Sequence, residues 1–239
     1  MNILSDSDNK EISSFLKDVL NDYYDKTITQ NLSINFNKEG VELINNNYKK
    51  PVSIMIDFFD KRMNNKIKQR LSGKKDIFHK LFPKKNSTLL DCTAGYGRDG
   101  YILRSMGFNI TMIENSPVMS LLLNNALKKI KLSNFIMYHG NAYDFLRHTE
   151  KIYEYIYMDF MFNKPKNSSL SSKNDETLKL ISFQDLNKNN LINLAIKKSV
   201  SRVVVKEPKH SLSKMMMPEY TIKTKLLNYY IYKGAYGKT

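Results

Sequence analysis

The sequence predicts an α/β fold with a mainly parallel sheet and helices on both of its faces, preceded by a small α+β extension. Beyond Pro83, short apolar runs alternate with helical patterns, as they do in parallel sheets. One of these runs ends in an acid and a glycine turn. The chain has 239 residues, of which 41% are hydrophobic, enough to bury a sizeable core. We therefore expect residues 1–60 to form the extension and residues 61–239 the main domain.

The predicted elements of the main domain alternate along the chain. Strands are expected at 87–91, 109–113, 134–138, 153–158, 201–206 and near 228–232. Helices are expected at 98–106, 117–131, 141–148 and 185–198. The polar segment 163–182 is predicted to be a mobile loop. In the extension, apolar residues at helical spacing predict a helix over 11–24, and alternation on either side of 38–40 predicts a hairpin.

Composition narrows the class of protein. The net charge of +15, with a pI near 9.6, favours polyanionic partners, or else reflects lysines spread over a solvated surface. The single cysteine, Cys92, excludes an internal disulfide and a cysteine-rich zinc site, so no metal is expected. The first six residues do not resemble a signal peptide, and no apolar run approaches the ~20 residues of a membrane helix. We expect a cytoplasmic protein.

A glycine turn follows the first predicted strand of the main domain. The strand ends in Asp91, and Gly95 and Gly97 let the backbone bend and approach a ligand before a helix begins. The carboxyl end of a parallel strand is where α/β sheets bind nucleotides. The turn therefore predicts a nucleotide pocket, although a tight turn without a ligand has the same pattern.

Two later strand ends support this pocket. Glu114 ends the second strand about twenty residues beyond the turn, where a carboxylate can accept hydrogen bonds from both hydroxyls of an adenosyl ribose. The next residue, Asn115, is expected beside the adenosine. The turn after the third strand flanks the adenine in this architecture, so Asn141 and Ala142 are binding candidates.

The fourth strand ends in Asp159, and Phe162 follows three residues later. A carboxylate bonded to the exocyclic amine of a base can orient that amine and accept its proton, and an aromatic ring can stack on an extruded base. The alternative is an acid that ends a buried strand and a core phenylalanine. Lys206 ends the fifth strand, either as a contact to substrate phosphate or as a solvated side chain.

Together, the blocks 91–99, 112–117, 157–162 and 203–208 resemble the bacterial small-subunit ribosomal RNA guanine-N2 methyltransferase J family, from about Pro51 to the C-terminus. The resemblance implies a Rossmann-like methyltransferase fold, S-adenosylmethionine (SAM) as methyl donor, and a guanine N2 amine in 16S rRNA of the small ribosomal subunit as acceptor. From the chemistry given above, Asp159 and Phe162 are the expected catalytic residues. A monomer is the favoured oligomeric state. The donor site would consist of Arg98, Asp99, Glu114, Asn115, Asn141, Ala142 and Asp159, beside Asp91, Gly95 and Gly97 of the turn.

The motif around Asp159 leaves two alternatives open. An N6-adenine or other nucleic acid amine methyltransferase would use the same residue types. A non-catalytic RNA-binding or ribosome assembly factor would keep the same fold. Phe160 favours this alternative, because the resembling family has at that position a proline that stiffens the turn. For RNA contacts we expect lysines of 61–75, with Lys164, Lys166 and Lys206.

Overall fold

The computed structural model describes residues 2–5, 24, 30–72, 76–130, 135–160, 172–183, 187–209, 211 and 215–236. The chain groups into two compact units. The first comprises Met1–Asp57, Ser116–Lys131 and Lys164–Phe183, and the second comprises Phe58–Asn115, Leu132–Asn163 and Gln184–Thr239. The predicted helix over 11–24 lies outside the described residues, apart from Tyr24. The predicted division at residue 60 stays a prediction.

The first unit contains a four-stranded sheet and two described helices. Its strands, in sheet order, are β1 (Asn2–Ser5), β2 (Leu32–Asn37), β3 (Gly40–Asn45) and β4 (Val52–Ile54). The pair β1–β2 is parallel and the other two pairs are antiparallel. The predicted hairpin is confirmed, because β2 and β3 pair across a tight turn. The helices are Pro117–Lys128 and Lys173–Ile181.

The predicted loop over 163–182 is wrong where the helix Lys173–Ile181 lies. Ser172 caps this helix by accepting a hydrogen bond from the Asp175 amide, and acidic residues in the first turn favour the helix dipole. Leu178 and Ile181 are buried one turn apart. This apolar stripe is short and lies among polar residues, so the composition of the segment concealed it.

The second unit contains a seven-stranded sheet. Its strands are β5 (Thr88–Asp91), β6 (Asn109–Glu114), β7 (Phe135–His139), β8 (Tyr153–Asp159), β9 (Ser199–Pro208), β10 (Tyr220–Lys223) and β11 (Leu227–Lys233). Their order in the sheet is β10-β11-β9-β8-β5-β6-β7. The pairs among β5 to β9 are parallel, and β11 pairs antiparallel with both β9 and β10. The predicted mainly parallel α/β fold is confirmed, and β10 is the one described strand of this sheet that the sequence did not predict.

The described helices of the second unit are Lys61–Leu71, Ile77–Leu81, Arg98–Ser105, Ala142–His148 and Lys188–Lys198. The basic segment forms the first of these, capped by the side chain of Asp60, with Met63 buried. Lys61, Arg62, Lys66 and Lys68 on this helix are exposed. None of the described helices in either unit has the length and apolarity needed to cross a membrane.

The two faces of the larger sheet differ in chemistry. One face carries aliphatic residues of β8 and β9, which form a hydrophobic cluster with the helices Ala142–His148 and Lys188–Lys198. The opposite face carries an aromatic cluster of Phe78, Phe82, Phe108, Tyr155 and Tyr157. Since side chains alternate along a strand, Asp159 shares the aromatic face with Tyr157. The acids predicted for the site therefore lie at the carboxyl end of this second face.

Candidate functional site

The glycine turn has the geometry that the sequence predicted. Gly95 and Gly97 adopt φ values of 52° and 68°, in the left-handed region that disfavours a side chain. Gly97 is the N-cap of the helix Arg98–Ser105, and its amide donates to the Ala94 carbonyl at 2.7 Å. The Ala94 amide donates to the carbonyl of Ile113 at the end of β6. The turn is therefore anchored to the neighbouring strand.

Glu114 lies against this turn. Its Oε2 accepts a hydrogen bond from the Gly95 amide at 2.7 Å. The two residues meet because β5 and β6 are neighbouring parallel strands whose carboxyl ends share one edge of the sheet. Among the described residues, a Cβ added at Gly95 would meet only the Thr93 carbonyl oxygen, at 3.9 Å.

Asp91 is the buried member of a group of acids. It is 2% exposed, and its Oδ1 accepts a hydrogen bond from the Thr93 amide at 3.0 Å. Burial raises the pKa of Asp91 to about 8, and the nearby carboxylates of Asp99, Asp159 and Glu114 add to this shift. The structure thus brings together four acids that the sequence placed in three separate motifs.

Lys206 joins two of these acids. Its Nζ lies 2.6 Å from Oδ2 of Asp159 and 3.1 Å from Oδ2 of Asp99. Burial alone would lower the pKa of Lys206, but the two carboxylates outweigh burial and raise it. Asp159 and Lys206 are register partners in the parallel pair of β8 and β9, which explains their meeting. Both readings of Lys206 from the sequence missed this ion pair.

Two further residues of the site were not predicted. The Tyr157 hydroxyl donates to Oδ2 of Asp99 at 2.7 Å, and Thr93 Oγ1 accepts a hydrogen bond from the Asp159 amide at 2.6 Å. Burial, reinforced by the charges of Asp99 and Asp159, holds the pKa of Tyr157 well above its usual value. The alternation along β8 could have indicated Tyr157, because it lies two residues before Asp159 and so shares its face.

Phe160 lies on the opposite side from Asp159. It is 6% exposed and belongs to the hydrophobic cluster of the other sheet face. The Lys188 ammonium lies 5.0 Å from the centroid of the Phe160 ring and 3.7 Å from Oε1 of Glu207, which is 1% exposed. Phe160 is therefore anchored in the core directly after β8, at the position where the resembling family has proline.

The remaining predicted residues lie around the turn with different degrees of burial. The exposed Arg98 places its guanidinium 4.7 Å from the centroid of the Tyr96 ring. Asn115 is partly buried directly after β6. Asn141 caps a helix by accepting the Tyr143 amide at 2.7 Å, and Ala142 is buried in the hydrophobic cluster.

Three predicted contact residues lie outside the described part of the chain: Phe162, Lys164 and Lys166. Their roles stay predictions. Among the residues that are described, no group of three or more His, Cys, Asp or Glu side chains is arranged to hold a metal ion.

The chain is similar in sequence to known proteins. A family described as "Putative SAM-dependent methyltransferase" matches residues 21–234. A protein named ribosomal RNA small subunit methyltransferase J from Desulfotalea psychrophila is 33% identical over 130 residues, which are 51% of this chain and 50% of the relative. A protein of the same name from Psychromonas ingrahamii is 32% identical over 154 residues, 60% of each chain. The chain thus spans only half to three fifths of the length of these curated relatives.

One solved structure shows the fold over the whole chain. It is the crystal structure of a SAM-dependent methyltransferase from Neisseria gonorrhoeae, with a TM-score of 0.64 and 18% identity. The similarity covers 100% of this chain and 98% of that one. At this identity the match supports the architecture of the sheet and helices.

Proposed function

This chain belongs to the family of SAM-dependent methyltransferases, and from that premise we propose that it methylates the exocyclic N2 amine of a guanine in small-subunit ribosomal RNA. The observation that carries the proposal is the meeting of the glycine turn, Glu114 and Asp159 at one edge of the sheet. The first two have the chemistry of a donor site and the third that of an acceptor site. The names of the curated relatives support ribosomal RNA as the substrate.

The residues at this edge fit SAM. Bound SAM would supply an activated methyl group on a positively charged sulfur. Asp99, Glu114 and Asp159 supply carboxylates at this edge, and such negative charge favours a cation, whereas Asp91, with its pKa raised to about 8, is mainly protonated at neutral pH. Glu114 is proposed to accept the ribose hydroxyls, since its carboxylate already lies at the glycine turn. Gly95 and Gly97 let the backbone approach the ligand, and Arg98, Asn115, Asn141 and Ala142 are proposed to border it.

Asp159 is proposed to receive the acceptor amine. Its side chain is 37% exposed, and its Oδ2 is held by Lys206. Within the described part of the chain, Oδ1 accepts no hydrogen bond, so it is available for an N–H of the amine. The amine of a base is a poor nucleophile because its lone pair is delocalised. A carboxylate that orients the amine and accepts its proton assists transfer. Phe162 is proposed to stack on the extruded base.

The charge of the chain suits an RNA substrate. The net charge of +15 favours encounter with a polyanion. Within the second unit, the helix Lys61–Leu71 has no acidic residue in its first turn and exposes Lys61, Arg62, Lys66 and Lys68. We propose that these side chains bind RNA phosphates.

Asp159→Asn tests the acceptor site, because it keeps the shape of the side chain and removes the charge that accepts the proton. We expect methyl transfer to unmodified small ribosomal subunits to fall by about 10²-fold or more, since general bases typically contribute that much. SAM affinity, measured by calorimetry, should change little. Asp144→Asn, an exposed acid on the helix Ala142–His148, is the matched control. Near-normal transfer by Asp159→Asn would refute the role of Asp159.

Nucleoside mass spectrometry of the product tests the substrate. N2-methylguanine in the small-subunit RNA is the expected product. N6-methyladenine would refute the guanine assignment and would retain the amine chemistry. Binding of SAM without transfer to any RNA or subunit would favour the non-catalytic alternative.

A further inference from the structure

We propose that Lys206 is a positioning residue that holds Asp159 as an oriented, ionised proton acceptor. This inference rests on the role proposed above for Asp159. It assigns to Lys206 a function within the protein in place of a contact to RNA phosphate.

The first argument is geometric. Two contacts and the register of β8 with β9 fix Asp159. The contacts are the ion pair of its Oδ2 with Lys206 and the hydrogen bond that its amide donates to Thr93 Oγ1. The Lys206 side chain is itself 19% exposed and is held at the same time by Asp99. Because the Lys206 Nζ pairs with Oδ2 of Asp159, Oδ1 of Asp159 is left to contact a different partner. An acceptor amine would therefore meet a carboxylate whose orientation is already set.

The second argument is electrostatic. The titratable and charged groups that face Asp159 are Asp91 from β5, Asp99 from the helix Arg98–Ser105, Tyr157 from β8, Lys206 from β9 and Tyr229 from β11. Within this described set, Lys206 is the one cation; Arg70, from the helix Lys61–Leu71, acts on Tyr229. The pKa of Asp159 lies above its ordinary value because burial raises it; Lys206 offsets part of that shift, and Asp99 adds to it. Without the ammonium, burial and the neighbouring acids would act together to favour the protonated carboxyl, which cannot accept a second proton.

The third argument concerns how Lys206 is kept charged. A buried lysine usually loses its proton more easily, but the carboxylates of Asp99 and Asp159 prevent this and raise its pKa. Tyr157 donates a hydrogen bond to the same Asp99 oxygen that contacts Lys206. Asp99 is thus held at the far side of the ammonium, and the order Tyr157, Asp99, Lys206, Asp159 forms one connected chain.

The test measures the titration of Asp159 directly. Carbon-13 NMR of the aspartate carboxyl groups, with the Asp159 signal assigned by its absence in Asp159→Asn, is recorded against pH without ligand. We expect the Asp159 carboxyl to titrate at higher pH in Lys206→Met than in the unmodified protein. Lys209→Met, which removes an exposed lysine three residues away, is the matched control and should titrate like the unmodified protein. Identical titration of Asp159 with and without Lys206 would overturn the proposal.

A second variant guards against misfolding of Lys206→Met. Lys206→Arg keeps the positive charge, so the Asp159 carboxyl should titrate close to its position in the unmodified protein. A large upward displacement in Lys206→Arg would contradict the electrostatic argument. Lys206→Gln, which is polar and neutral, should behave like Lys206→Met.

Kinetics separate positioning from simple structural support. In Lys206→Met, we expect kcat to fall by about 10²-fold at neutral pH and the acidic limb of the pH–rate profile to move to higher pH. A lysine that only supports the fold would lower the rate equally at every pH. If the unmodified protein transfers no methyl group while the NMR displacement is present, the proposed function fails and the positioning role of Lys206 stands. If the unmodified protein transfers the methyl group but Lys206→Met shows no NMR displacement, the proposed function stands and the positioning role of Lys206 fails.

Discussion

Replacement of Phe160 tests the anchor that the structure reveals beside Asp159. The ring is 6% exposed and packs within the hydrophobic cluster of β8, β9 and the helix Lys188–Lys198. Truncation of a buried phenylalanine to alanine lowers the free energy of unfolding by about 3–5 kcal/mol. The Lys188 ammonium, 5.0 Å from the ring centroid, accounts for about 0.5–1 kcal/mol of such a loss. We therefore expect Phe160→Ala to lower the free energy of unfolding by about 3–5 kcal/mol.

Urea denaturation followed by circular dichroism measures this change. The chain offers a matched control in Phe59, which is 56% exposed and whose replacement by alanine should change the free energy of unfolding by less than about 0.5 kcal/mol. Phe160→Pro restores the residue of the resembling family but loses the same ring contacts. Proline lowers the conformational entropy of the unfolded chain, which raises the free energy of unfolding by only about 0.4–1 kcal/mol. Equal effects of Phe160→Ala and Phe59→Ala would refute the anchor.

Two further predictions concern the acids of the proposed donor site. We expect the melting temperature of Asp91→Asn, taken relative to that of the unmodified protein, to be higher at pH 8.5 than at pH 5. The folded-state pKa of Asp91, about 8, lies above its ordinary value of 3.8, so its stabilising contribution is complete below pH 3.8 and is lost as the pH rises toward 8. A difference in melting temperature that is the same at both pH values in thermal denaturation would contradict this. In Glu114→Gln, the amide oxygen can still accept the hydrogen bond from the Gly95 N–H. Loss of the charge should nevertheless raise the dissociation constant for SAM, measured by calorimetry, about 10-fold or more. An unchanged dissociation constant would exclude Glu114 from the ribose contact.

The sequence predicted the succession of strands and helices along the larger unit and the position of the glycine turn, because both follow from local signals. Apolar runs mark β5 to β9 and β11, and Gly95 and Gly97 mark the turn. The strand ends then lie at one edge by the rules of parallel crossovers, which is why Glu114 could be placed beside the turn.

The ion pairs of the site could not be read from the sequence in the same way. The pairing of Asp159 with Lys206 depends on the register between two strands separated by the segment 160–198, and local patterns do not fix a register between distant strands. The anchor at Phe160 likewise depends on Lys188, from a helix that the sequence predicted without indicating its neighbours. The hydrogen bonds of Tyr157 and Thr93 join elements that are distant in sequence, so residue type alone did not indicate them.

The adjacent charges at the end of β9 have a consequence for folding. Lys206 lies on the face that carries Asp99 and Asp159, and Glu207 lies on the opposite face beside Lys188. A slip of β9 by one residue against β8 would exchange these faces. It would place the Glu207 carboxylate among acids and the Lys206 ammonium beside Lys188, so like charges would meet on both sides of the sheet. The same two side chains that complete the site in the native register thus disfavour the misregistered sheet.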